Sequence, residues 1–175
     1  MNLVFIPMTI CLLLLEALTP MPSGAKQKCN GSILASSTES EFLLHEEGIA
    51  SDKTTGLMWM RCALGQEWKG GTCGGKAASY SWPEALKATT QYDFGGYADW
   101  RLPNKNELAS IVEERCVGPS INATVFPATP ITFFWTSSPY AGQANGAWSV
   151  DFGYGVVTAT EKSGKIHVRL VRNGE

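Results

Sequence analysis

Asp99, Arg101 and Glu107 lie close together in "GGYADWRLPNKNEL", residues 95–108. Two carboxylates beside a guanidinium are the groups an acid–base site uses. The same residues also spell a helix start. Asn104 is a good N-cap, and Glu107 three residues later is its capping-box partner. Asp99 and Arg101 flank Trp100, as in the arginine–carboxylate pairs that orient such turns. "YSWPEAL" repeats the capping pattern with Ser81 and Glu84. We therefore assign the set to structure and expect no catalytic residues in it.

Other candidates for chemistry are weaker. Cys73 is central in "GTCGG" (71–75), which imitates a nucleophile elbow. A true elbow needs a preceding strand, a following helix and a histidine partner. Gly and polar residues surround Cys73, and a disulfide explains it. His45 and His167 are the two histidines. Neither stands in the grouped ligand pattern of a zinc site. Lectin calcium sites need converging carboxylate and amide oxygens, and the triplets Glu-Pro-Asn, Gln-Pro-Asp and Trp-Asn-Asp are absent. No metal and no cofactor are expected.

The elements that would position any site are legible from pattern. "SDKTTG" carries turn residues, with Asp52 opening the turn and Gly56 free to take positive φ. "LMWMRC" follows as an apolar strand buried on both faces. The first helix starts behind Ser81 and places Ala85, Leu86 and Thr89 on one face. The second is expected over 105–115, with Leu108, Ile111 and Val112 as its apolar stripe. After Cys116 come four strand-like runs: "TFFWTSSPY", "AWSVDF", "GVVTAT" and "KIHVRLVR". Strands, two helices, then a strand meander make an α+β domain.

The chain has 175 residues and a net charge of −2. It has no basic block, so neither nucleic acid nor an anionic membrane is expected as a partner. The apolar run 3–15 is short for a membrane span and is interrupted by Pro7. Ser23 and Ala25 fit a small-x-small cleavage site, so residues 1–25 read as a secretory signal and 26–175 as one domain. Four cysteines remain after Cys11: Cys29, Cys62, Cys73 and Cys116. An even count in an exported chain reads as two disulfides. The Gly-rich loop between Cys62 and Cys73 closes easily, so those two pair and Cys29 joins Cys116. The chain is thus expected to be exported. "NGS" at Asn30 and "NAT" at Asn122 match glycosylation acceptors.

"TGLMWMRC", "YSWPEAL", "GGYADWRLPNKNEL", "INATVFPATP", "FWTSSPYAG", "AWSVDF" and "VRLVRNG" occur in this order. Together they resemble the family named for the C-terminal domain of the Legionella collagen-like protein, across about 29–174. "DWRLPNKNEL" and "VRLVR" also look like the formylglycine-generating-enzyme group, over much less of the chain. Both resemblances imply the C-type-lectin-like fold: two helices, antiparallel sheets and termini brought near each other. The first implies an exported bacterial protein, secreted, periplasmic or on the bacterial cell surface, whose Asn30 and Asn122 stay unmodified. It also implies a non-enzymatic surface binder, since the family's named member is an adhesin for sulfated glycans. The second implies an enzyme with a late copper-binding cysteine pair, which this chain lacks beyond Cys116. A purely structural envelope protein is the remaining alternative. The fold also occurs in targets of diversity-generating retroelements, which would place varied residues in 144–167.

The expected binding surface follows from strand alternation. In "AWSVDFGYG", Trp148, Val150 and Phe152 should face the core and Ser149 and Asp151 the solvent. In the last run, Val168 and Leu170 should face in, with His167 and Arg169 on the other side. Ser149, Asp151, Tyr154, Thr158 and His167 are thus expected to share one exposed face that recognises a protein or glycan. Tyrosine supplies contact area at low entropy cost, and the polar groups supply direction.

Overall fold

A computed structural model describes residues 26–90 and 92–174. The signal-peptide reading of residues 1–25 lies outside the described residues. The elements in chain order are β1 (Lys28–Cys29), a 3-10 turn (Glu39–Glu41), β2 (Phe42–Leu44), β3 (Ile49–Asp52), β4 (Leu57–Met60), β5 (Glu67–Trp68), β6 (Cys73–Gly74), α1 (Trp82–Ala88), α2 (Lys105–Ser110), β7 (Cys116–Val117), β8 (Phe133–Pro139), β9 (Gly146–Asp151), β10 (Val156–Glu161) and β11 (Val171–Asn173). The arrangement is α+β with short helices. No helix among the described residues is long and apolar enough to cross a membrane.

Two antiparallel sheets carry the fold. One has the order β11-β4-β3-β2 and the other is the meander β10-β9-β8. β4 lies between two apolar clusters, and its side-chain alternation explains its sequence. Leu57 and Trp59 enter the first cluster with Phe126, Phe134 and Phe152. Met58 and Met60 enter the second with Trp100, Trp135 and Leu170. A strand with apolar layers on both faces must be apolar throughout, which is why "LMWM" does not alternate. The turn before it forms as expected: Asp52 Oδ1 accepts the Thr54 amide at 2.8 Å, and Gly56 sits at φ 71°.

Both disulfides have the expected pairing, Cys29–Cys116 and Cys62–Cys73. They fit an oxidising compartment. The first fixes β1 to β7, with Lys28 opposite Val117. The lead-in after β1 is held more firmly than its polar composition suggests. Glu113 is buried, and its carboxylate accepts the amides of Ser36 at 3.1 Å and Ser37 at 3.2 Å.

Two elements depart from expectation. α2 ends at Ser110 rather than near 115. Ile111 and Val112 are drawn into the core, and Val112 bridges to Ile121. These tertiary contacts outweigh the few residues of helix propensity beyond Ser110. The final run is not one strand of the meander. His167 bridges to Phe134, Leu170 accepts the Met60 amide at 3.1 Å, and β11 pairs with β4. The run crosses from one sheet to the other, burying Val168 and Leu170 as expected. Arg169 between them is also fully buried. It donates to the carbonyls of Met60 and Arg61 and, at 2.7 Å, to Thr129 Oγ1.

Candidate functional site

The DWRLPNKNEL segment is a framework. Arg101 makes a two-pronged pair with Glu107, both contacts 2.8 Å. Glu107 Oε2 also accepts the Asn104 amide at 2.7 Å, and Asn104 Oδ1 accepts the Glu107 amide at 2.9 Å. Arg101 holds the Glu107 carboxyl below the usual carboxylate range. Asp99 pairs instead with Arg172 at 2.7 Å, and that hydrogen bond lowers its carboxyl likewise. Trp100 is buried and donates its indole N–H to Phe94 O at 2.9 Å. Arg101, Asn104 and Glu107 are thus committed to the helix cap, and Asp99 reaches the last strand through Arg172.

The five expected surface residues are not one face. Ser149 is fully buried. Its hydroxyl meets Thr160 Oγ1 at 2.8 Å and Thr158 O at 3.2 Å. The meander has apolar layers on both faces, so the polar side of β9 is covered too. Trp135 and Ala147, on the same side as Ser149, belong to the second cluster with Tyr80, Trp82 and Leu86. Strand alternation cannot distinguish solvent from a second layer that tolerates one hydroxyl. Thr158 lies opposite Ser149 on β10 and is half-buried. His167 is on the far flank of β8, where its Nδ1 meets Ala78 O at 2.7 Å. Trp148 is half-buried rather than core, with Tyr140 edge-on at 4.9 Å and Lys105 over its ring.

Asp151 and Tyr154 do come together. They line a groove of about 400 Å³ with Lys26, Lys28, Val117, Gly118, Ile131 and Phe133. The turn carrying Tyr154 is fixed from several sides. Asp151 Oδ1 accepts the Gly153 amide, and Asp151 O the Gly155 amide, both at 2.7 Å. Gly153 O accepts the Gly118 amide at 2.9 Å. Gly155 takes φ 75°, and a Cβ there would lie 2.9 Å from Val112 Cγ1, so glycine is required. Tyr154 is nonetheless 75% exposed. Val117 and Ile131, which line the same groove, are exposed apolar side chains. A rigid turn thus displays an unshielded aromatic at the edge of an apolar groove.

Lys26, Lys28, Val117 and Ile131 were missed by the sequence reading. The signal that would have found the first wall was available. Cys29–Cys116 pairing puts β1 alongside β7, so Lys28 and Val117 become neighbours. Nothing local in "ATPITFF" marks Ile131 as exposed.

The family model for the Lcl C-terminal domain matches residues 48–172. The match begins after β1, so Lys26 and Lys28 lie outside it. No curated protein matches the chain. The chain belongs to the Lcl C-terminal domain family.

Proposed function

We propose that this member of the Lcl C-terminal domain family is an exported, non-enzymatic binding domain with a C-type-lectin-like fold. It recognises a protein or glycan through the C-terminal strand-and-loop surface around Asp151 and Tyr154. One observation carries the reading: Tyr154 is exposed on an immobilised turn at the mouth of an apolar groove. A single exposed aromatic would mean little, but Tyr154 stands with the exposed Val117 and Ile131 in one groove beside a loop, and such apolar patches mark binding sites. The site has changed relative to the expected one: Ser149 and His167 leave it, Thr158 is peripheral, and Lys26 and Lys28 join it. Two short helices beside antiparallel sheets, with the chain's end returned to β4, support the C-type-lectin-like assignment. The paired cysteines support export. If a retroelement diversifies the 3′ end, variation is tolerable at Tyr154, Val156 and Val157, which are exposed, and not at Val150 or Phe152, which are core.

The test is a protein and glycan array probed with the oxidised protein and with the Asp151→Ala/Tyr154→Ala variant. Reproducible binding that the variant loses supports the reading. Binding that the variant retains removes the site.

A further inference from the structure

The groove has a charged wall and apolar seats, and together they select one kind of occupant. Gln27 donates its side-chain amide to Pro119 O and Ile121 O, each at 2.7 Å. In extended chain, alternate side chains point to opposite sides. Anchoring Gln27 against the connector therefore turns Lys26 and Lys28 the other way, where both line the groove and are exposed. The Cys29–Cys116 bond fixes that orientation. Residues i and i+2 of an extended strand are about 7 Å apart. The wall thus offers two cations at the repeat of a second extended chain.

The rest of the lining argues for polypeptide over sugar. Val117 and Ile131 are aliphatic, and Phe133 is half-buried beside them. Sugars need many directed polar groups, and Asp151, the one carboxylate among the described lining residues, already accepts the Gly153 amide through Oδ1. Aliphatic seats suit apolar side chains.

Resting on the reading above, we infer that the groove binds an extended acidic segment of a partner protein. Acidic residues at alternate positions face Lys26 and Lys28, and apolar residues between or beside them seat against Val117, Ile131 and Tyr154. The charge complementarity adds specificity and association rate, and weakens with salt.

A phage-displayed library of random peptides, selected on the oxidised full protein, tests this. Enriched peptides should carry Asp or Glu at alternate positions next to aliphatic or aromatic residues. Synthetic copies should bind roughly tenfold more weakly to Lys26→Glu/Lys28→Glu, and more weakly at high salt. Both lysines are exposed, so an unchanged melting temperature shows that the variant folds. The inference is overturned if no peptide is enriched, if the enriched peptides lack acidic residues, or if charge reversal leaves affinity unchanged. Binding of sulfated oligosaccharides in place of peptides also overturns it. If Asp151→Ala/Tyr154→Ala abolishes binding while charge reversal does nothing, this inference fails and the proposed site stands.

Discussion

Arg169 and Glu113 are the residues whose loss should hurt the fold most. Arg169 is a fully buried guanidinium that caps two carbonyls of the β4 end and stacks over Phe126 at 4.8 Å. Burial pushes it down to about 9, so it is still charged at pH 7. Arg169→Met leaves the Met60 and Arg61 carbonyls without this donor and should cost about 3 kcal/mol. Glu113→Ala strips the acceptors from Ser36 and Ser37 and should cost about 2–3 kcal/mol. Urea unfolding of each variant measures both. Glu107 predicts a pH effect. Its folded carboxyl is depressed by Arg101, so its stabilisation is present above the ordinary glutamate range and is lost as pH falls through the depressed value. Glu107→Gln should flatten that acid limb, by about 1 kcal/mol given solvent screening at the partly exposed pair. The capping role of Asn104 and Glu107 was legible because it depends on a four-residue window. The roles of Arg169 and Glu113 were not, since their partners are 40 to 109 and 76 to 77 residues away.

At the scale of elements, local grammar predicted well where one neighbour decides the outcome. The capping boxes at Ser81 and Asn104, the Asp52 turn and the doubly buried β4 all formed. It failed where two layers compete. β9 alternates apolar and polar residues, which reads as one wet face. The second cluster covers that face, and Ser149 is inside. "KIHVRLVR" looked like one strand because every alternate residue is apolar. Its two halves instead serve different sheets, and His167 ends on the wrong side of β8 to join Tyr154. The cysteines carried the longest-range information in the sequence, and they alone placed β1. The strap they hold should behave accordingly. Replacing Cys29 and Cys116 with serine should cost about 4–5 kcal/mol, and replacing Cys62 and Cys73 about 3 kcal/mol, in the chain-entropy view. Thermal unfolding under non-reducing conditions ranks the two.

For the whole molecule, the family match covers β3 to β10, both helices and most of β11, but begins after β1 and β2. The matched region thus carries Val117, Ile131, Asp151 and Tyr154, while Lys26 and Lys28 on the other side of the groove lie outside it. On the proposed reading, binding depends on two regions that meet in the folded, oxidised protein. That division makes a direct prediction: reduction of the disulfides should weaken ligand binding under conditions where the meander core stays folded. The central claim is that the Asp151–Tyr154 groove is the binding surface. It is tested most directly by measuring the affinity of an array-identified ligand for the wild-type and Asp151→Ala/Tyr154→Ala proteins, both verified as folded. The account predicts a loss of at least about tenfold, since an exposed aromatic anchor in a groove is worth upwards of 1.4 kcal/mol. Equal affinity for the two proteins would contradict it.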